Sequence, residues 1–163
     1  MLGMDPIYQK CVDSGVREVL EMIAGMSVQA GDPYPMGGKM ILGEMSAIIG
    51  LSGKDMQGAV VLHFDKPLAF HLLKVIFETE TTELTDEVLD AVGEITNMIS
   101  GKFKTDLVNS GRPEFNITVP TIVVGQNYQT YIRGVKGTST IFPYKDSEGK
   151  CTLNVELKIQ QTA

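Results

Sequence analysis

The central stretch of the chain reads Asp90-Ala-Val-Gly-Glu94-Ile-Thr-Asn97-Met-Ile-Ser-Gly101. It lies within a run from about residue 84 to residue 109 that contains no proline. Apolar residues recur along this run at three- and four-residue spacings, which is the period of an α-helix. These residues are Val88, Val92, Ile95, Ile99 and Phe103. They span about 80° of a helical wheel, so the run predicts a helix that buries one stripe.

The polar residues of the same run fall on the opposite side of the wheel. Asp90, Glu94, Asn97 and Gly101 lie within about 60° of one another, with about 4.5 Å of axial rise between the Glu and the Asn. Glycine costs about 1 kcal/mol relative to alanine in a helix, so Gly93 and Gly101 need a reason. At Gly101 the missing side chain would let another surface approach. An outward Glu and Asn are usually only solvated, so this face alone does not establish a site.

Composition and charge narrow the class of protein. Of 163 residues, 43% are hydrophobic and 21% are charged, and the formal net charge is −6. This length fits one domain with a sizeable core, and the acidic balance argues against nucleic acid as a partner. We expect a cytoplasmic protein without a membrane contact, because no apolar run reaches roughly 18 residues and no signal peptide opens the chain. Cys11 and Cys151 make neither a metal pattern nor a disulfide framework.

The rest of the chain predicts two more helices and several strands. One predicted helix runs from residue 6 to about residue 26. Another is capped by Asp65, has Pro67 in its first turn and continues to Phe77, and Thr85 or Asp86 can cap the central helix. The predicted strands are residues 44–51, 56–64, 116–124, 139–144 and 151–159, with a hairpin turn at 52–55, a turn-rich connection at 31–38 and a turn at 146–149. In the last strand, Leu153, Val155, Leu157 and Ile159 alternate with Asn154, Glu156 and Lys158, which predicts one buried and one polar face.

The first and central helices form an internal repeat. Residues 14–25 align with residues 90–101 without a gap, and Val, Glu, Met, Ile and Gly coincide. We therefore predict an α+β fold in which a duplicated helix-plus-strands unit forms an antiparallel sheet packed against long helices. The chain would be one domain, residues 1–163, with pseudo-repeats at about 6–78 and 84–160 related by a twofold axis. The copies differ at several positions, and one of these bears on function: Glu21 occupies the slot of Asn97.

The pattern Asp-x-x-x-Glu-x-x-Asn-x-x-x-Gly, together with the repeat, resembles the signature of the CheC–CheX–FliY family of chemotaxis phosphatases. The pattern is complete at Asp90, Glu94, Asn97 and Gly101. This resemblance implies an enzyme of two-component signalling that dephosphorylates a CheY-like response regulator. Members with two sites carry the motif in both halves, whereas the CheX branch carries it once. With Glu21 in the amide position this chain looks CheX-like, which implies one active half and a homodimer.

The chemistry can be reasoned from the substrate. An aspartyl phosphate is already activated, so its hydrolysis needs a water held in line with the phosphorus more than it needs a new nucleophile. A carboxamide offers donors and an acceptor to that water and carries no charge to repel the phosphoryl oxygens. We therefore expect Asn97 to orient the attacking water. A carboxylate in the same slot would face an anion, so we expect the Glu18 and Glu21 half to be inactive.

The other residues of the motif receive supporting roles. We expect Glu94 to pair with the lysine beside the regulator's phosphorylated aspartate and so to fix the register of the helix. Asp90, Met98 and Gly101 are the expected partner-binding residues. No cofactor of the protein's own is expected, and the resemblance implies that magnesium belongs to the partner's site.

One alternative function stays open. It is a non-catalytic binding or scaffold module of the same fold, which would dock a response regulator or a flagellar-switch component without hydrolysing anything.

His63 and His71 do not add a further alternative. They lie in apolar surroundings without a ligand set and are best interpreted as ordinary packed or half-exposed histidines.

Overall fold

The computed structural model describes residues 4–37 and 43–161, which form three helices and eight strands. In chain order these are α1 (Pro6–Ala24), β1 (Val28–Ala30), β2 (Tyr34–Pro35), β3 (Met45–Gly53), β4 (Met56–Phe64), α2 (Lys66–Phe77), α3 (Asp86–Asn109), β5 (Phe115–Ile117), β6 (Thr121–Val124), β7 (Thr140–Asp146) and β8 (Thr152–Gln161). The α+β class and the antiparallel sheet predicted from the sequence are confirmed. None of the helices in the described part of the chain has the length and apolar character needed to cross a bilayer.

The helices begin where their capping residues predict. The side chain of Asp65 accepts a hydrogen bond of 2.9 Å from the backbone N–H of Leu68 at the start of α2. Thr85 caps α3 in the same way through the N–H of Val88, so both predicted caps are confirmed. Helix α1 ends at Ala24 and is followed by the capping residue Gly25, whose φ of 61° is the left-handed conformation that glycine adopts readily.

Two stretches depart from the predicted strands. The predicted strand at 116–124 is two strands, β5 and β6, because Pro120 lies between them and has no N–H to donate to a ladder. The connection predicted at 31–38 contains the short strand β2, and β1 just before it was not predicted. Such short strands carry little periodicity and are held by pairing with β7. Gly38, at the end of the predicted connection, lies outside the described residues.

The sheet has a symmetric strand order. Its main path is β1-β7-β8-β4-β3-β5, and β2 pairs with β7 as β6 pairs with β3. Exchanging β1 to β4 with β5 to β8 reverses this order and keeps every pairing. A duplicated unit would produce this arrangement, although the repeat boundaries at about 6–78 and 84–160 stay a prediction.

The three helices pack on one face of the sheet. Alternate residues of the central strands join the helices in one buried cluster, among them Met45, Ala47, Ile49, Leu62, Phe64, Val155 and Leu157. Helices α1 and α3 approach closely at Gly15, where an added Cβ would lie only 3.2 Å from the carbonyl oxygen of Ile99. This contact fixes α3 against the core along its apolar stripe, so its opposite side is left to solvent.

The other face of the sheet is covered by residues 125–139, here named the covering segment, which joins β6 to β7. Val61 and Ile141 are buried on this face, and so is Val135 of the covering segment. The prediction that Glu156 belongs to an open polar face is therefore wrong, since this residue is only 2% exposed. The reason is tertiary: Thr130 and Ser139 of the covering segment donate hydrogen bonds to its carboxylate.

Candidate functional site

Helix α3 presents the predicted polar residues to solvent. Asp90, Glu94 and Asn97 are exposed, whereas the apolar stripe is 0–2% exposed at Val88, Val92, Ile95, Ile99 and Phe103. Neither the side chain of Glu94 nor that of Asn97 makes a hydrogen bond or an ion pair with another described residue. The helix therefore holds a free carboxylate and a free carboxamide on one exposed face, about 4.5 Å apart along the axis.

The remaining predicted residues differ in their surroundings. Met98 is half-buried and packs against the core, so only part of its side chain could meet a partner. A Cβ placed on Gly101 would meet nothing within 4 Å. At Gly93 it would lie 3.9 Å from both Pro120 and Ile122, which is ordinary van der Waals distance. Neither glycine is required by packing within the described chain.

The corresponding residues of α1 are engaged differently. Glu18, in the slot of Glu94, accepts a hydrogen bond of 3.2 Å from Ser14 Oγ and lies 3.3 Å from Lys102 Nζ. Lys102 also binds Asp106 at 2.6 Å, and this hydrogen bond is the main cause of a pKa of Lys102 above its usual range. Glu21 is exposed. At the two slots that correspond to Glu94 and Asn97, the first half thus offers one tethered and one exposed carboxylate and no amide.

A buried polar network on the other face of the sheet was missed by sequence reasoning. Ser46 Oγ lies 2.6 Å from His63 Nδ1, and His63 Nε2 lies 3.1 Å from one oxygen of Glu156. The second oxygen accepts hydrogen bonds from Ser139 at 2.7 Å and Thr130 at 3.1 Å. Burial acts to raise the pKa of Glu156, but the hydrogen bonds from these three partners outweigh it and hold the pKa below its usual range.

This network joins the sheet to the covering segment and is not open to a substrate. Ser46 and His63 are each 1% exposed, so the Ser–His–Glu arrangement has no accessible nucleophile. The interpretation of His63 as a packed histidine is confirmed, and His71 is half-buried with Nε2 3.3 Å from the carbonyl of Ala24. Only the pairing of the strands brings these residues together. Ser46 of β3 lies opposite His63 of β4, and Glu156 of β8 lies opposite Val61, two residues before His63 on β4.

Other reactive groups add little chemistry. Cys11 is buried and Cys151 half-buried, and both are free thiols. Burial raises the pKa of Cys151 to about 11, which keeps the thiol protonated and unreactive. Across residues 4–37 and 43–161, no group of three or more His, Cys, Asp or Glu side chains could hold a metal ion.

Comparison with known proteins places this geometry in a family. The family model described as "Chemotaxis phosphatase CheX" matches residues 45–142. The chain is 26% identical over 133 residues to the CheY-P phosphatase CheX of Thermotoga maritima, covering 81% of this chain and 84% of that protein.

Solved structures agree with this match. The chemotaxis protein CheX of Vibrio vulnificus superposes with a TM-score of 0.82 at 26% identity, over 94% of this chain and 99% of that one. The fold is also that of CheX in the CheX–CheY–BeF3–Mg2+ complex of Borrelia burgdorferi, with a TM-score of 0.73 at 23% identity over 94% and 97% of the two chains. A match to more than half of the chain, with α3 and most of the sheet inside it, shows that the chain belongs to the CheX family of chemotaxis phosphatases.

Proposed function

We propose that this protein is a phosphatase that accelerates hydrolysis of the aspartyl phosphate on a CheY-like response regulator. The observation that carries the proposal is the pair Glu94 and Asn97, exposed and unengaged on one face of α3 in a chain of the CheX family. The relative from Thermotoga maritima carries this activity in its name, and the Borrelia burgdorferi structure contains CheX together with CheY.

Asn97 supplies the positioning on which the reaction depends. Water attacks the phosphorus in line with the bond to the aspartyl oxygen, that bond breaks, and inorganic phosphate and a free aspartate result. Most of the barrier to such a transfer is lowered by orientation and electrostatics. A neutral amide on a helix whose far side is buried can hold the water at a fixed place without repelling the phosphoryl oxygens.

Glu94 serves docking rather than bond breaking. A response regulator keeps a lysine beside its phosphorylated aspartate, and a free carboxylate about one helical turn from Asn97 can form a charge-assisted hydrogen bond with it. That contact sets the register in which Asn97 meets the phosphoryl group. Asp90 lies one turn before Glu94 at the rim of this face, and Gly101 leaves room for the partner's backbone.

The metal requirement falls on the partner. Magnesium bound beside the regulator's acyl phosphate would neutralise phosphoryl charge, as expected for phosphoryl transfer. The oxygen atoms on the polar face of α3 belong to one amide, Asn97, and to the separated carboxylates of Asp90 and Glu94, which suits the contact of a helix with a loaded site better than metal binding. Whether the protein works as a homodimer stays a prediction.

The test measures release of radiolabelled phosphate. A CheY-type response regulator from the same organism is phosphorylated with a small phosphodonor, and its loss of label is followed with and without this protein. We expect catalytic amounts of the protein to shorten the lifetime of the phosphorylated regulator. A lifetime that is unchanged while the two proteins still bind would instead establish the non-catalytic docking module.

A further inference from the structure

An exposed apolar side chain lies beside the polar face of α3. The connection between β5 and β6 carries Val119, whose side chain is 81% exposed. A single exposed valine is ordinary on a protein surface, so its position has to be judged from what surrounds it.

The connection that carries Val119 is held in one conformation. The N–H of Thr118 donates to the carbonyl of Gly50 at 3.0 Å, and the N–H of Gly50 donates to Thr118 Oγ1 at 2.9 Å. On the other side of Val119, Pro120 has a fixed φ. Because both neighbours are fixed, Val119 is displayed with little conformational entropy left to lose when it is covered.

This connection abuts the helix next to Asn97. A Cβ on Gly93 would lie 3.9 Å from Pro120 Cγ and from Ile122 Cδ1, so the connection packs directly against α3. Gly93 lies one turn before Asn97 and about 40° from it on the helical wheel. Val119 directly precedes Pro120, so it lies next to the side of the polar face on which Asn97 stands, within the area that a domain-sized partner covering Asn97 is expected to contact.

The charge of the helix makes an apolar contact there useful. Glu94 pairs with the regulator's lysine under the proposed function, but Asp86, Glu87 and Asp90 are also exposed on or before the polar face. These three carboxylates repel a phosphoryl anion. Further favourable contact near the phosphoryl group therefore has to come from uncharged atoms, and Val119 supplies them.

We propose that Val119 is an affinity-determining contact for the phosphorylated response regulator. It packs on apolar surface beside the regulator's acyl phosphate while Asn97 meets the phosphoryl group. This inference rests on the proposed function and adds to it a second, apolar anchor outside the helix. It predicts that Val119 governs how tightly the regulator binds and leaves the chemical step untouched.

The experiment compares Val119→Ser with Val119→Ile. Phosphate release is measured as a function of the concentration of the phosphorylated regulator, and binding is measured separately with the regulator loaded with beryllofluoride. We expect Val119→Ser to raise the half-saturating concentration and the Kd about tenfold, since burying a valine side chain stabilises a contact by about that factor or more. The maximal rate should stay unchanged, and Val119→Ile should behave like the native protein.

Tyr131→Ser is the matched control, because Tyr131 is 85% exposed on the covering segment, on the opposite face of the sheet from the helices. Its Kd and half-saturating concentration should equal those of the native protein. A similar weakening by both Ser variants would overturn the role of Val119, since any exposed apolar side chain would then have the same effect.

The outcomes separate the two proposals. If the native protein accelerates phosphate release and Val119→Ser has the same half-saturating concentration and Kd, the Val119 contact is overturned and the phosphatase function stands. A lower maximal rate at unchanged half-saturation also overturns it. If the native protein accelerates nothing, the proposed function fails, and the Kd for the beryllofluoride-loaded regulator still decides the role of Val119. Absence of any binding overturns both.

Discussion

Helices α1 and α3 carry the same sequence pattern, yet their outer faces are in different physical states. Glu94 and Asn97 are free, whereas Glu18 is tethered to Lys102 and Ser14, and Glu21 replaces the amide. The cation that tethers Glu18 comes from α3 itself. When the alignment is continued by one residue, Lys102 corresponds to Met26 of the first half, which is buried. Glu94 accordingly has no equivalent lysine among the described residues.

This contrast separates the fold of the repeat from the chemistry of its exposed residues. The apolar stripe of α1 is as well buried as that of α3, with Val12, Val16 and Leu20 at 0–2% exposure, although the exposed residues of the two helices differ. The carboxylate of Glu18 stabilises the contact between the two helices. Because such partly exposed ion pairs contribute little, about 1 kcal/mol or less, the fold does not depend on it.

The largest effect on phosphate release is expected when Asn97 of α3 is replaced, either by alanine or by the glutamate that α1 has at the corresponding position. Asn97→Ala or Asn97→Glu should reduce the acceleration of phosphate release about a hundredfold or more, because the attacking water loses its orienting group. The Glu variant should be at least as severe, since a second carboxylate then faces the phosphoryl group. Phosphate release under saturating regulator provides the measurement.

Folding serves as the control for this pair of variants. Asn97 is exposed and unengaged, so the midpoint of unfolding in denaturant should match that of the native protein. A normal rate of phosphate release in Asn97→Ala would remove Asn97 from the mechanism.

The two glutamates at equivalent positions provide the next comparison. Glu94→Ala should raise the half-saturating concentration of regulator about tenfold, because a charge-assisted contact to the partner's lysine is lost. Glu18→Ala, its matched control, should leave that concentration unchanged, since Glu18 is already occupied by Lys102. Equal effects of the two substitutions would contradict the asymmetry between the helices.

The paired glycines separate backbone conformation from partner contact. Gly25 and Gly101 both have open space where a Cβ would stand, but only Gly25 has a positive φ, 61°, while Gly101 lies within α3. Gly25→Ala should lower the free energy of unfolding by about 1 kcal/mol, and Gly101→Ala should raise it by up to about 1 kcal/mol. Denaturant titration measures both changes.

The rate of phosphate release by Gly101→Ala then tests whether Gly101 contributes to docking. If Gly101 is kept for the approach of the regulator, the stabilised Gly101→Ala protein should need a several-fold higher regulator concentration for half-maximal rate. A variant that is both more stable and fully active would show that Gly101 has no part in docking.

The smallest effect is expected from restoring the amide to α1. Glu21→Asn should leave the maximal rate per chain unchanged, because Glu18 stays tethered and Arg17, engaged with Asp13 and the carbonyl of Val28, occupies the slot of Gly93. Titration with the beryllofluoride-loaded regulator measures whether a second site has formed. Two regulators bound per chain together with a doubled maximal rate would show that the amide alone suffices.

Local sequence was enough for much of this fold. The period of the apolar residues predicted α3, and the caps at Asp65 and Thr85 predicted where two helices begin. The same period predicted that Asp90, Glu94 and Asn97 would be exposed, since residue spacing alone determines on which side of a helix a residue lies. The repeat predicted an antiparallel sheet built from both halves.

The burial of the sheet face under the covering segment could not be predicted from local sequence, because it depends on contacts between residues distant in the chain. Alternation along β8 predicted a polar face at Glu156, but residues 125–139 cover it and supply two of its hydrogen bonds. Thr130 and Ser139 lie well apart from Glu156 along the chain and carry no periodicity that points to it.

The sequence by itself determined which residues could serve chemistry, because residue type and helical spacing are local properties. Only the tertiary structure decided which carboxylates are free. Glu94 and Glu18 occupy equivalent positions in the repeat, and what separates them is Lys102, brought to Glu18 by the packing of α3 against α1. A hydrogen bond or an ion pair between elements depends on where the chain folds, and that information is absent from the spacing of residues within either helix.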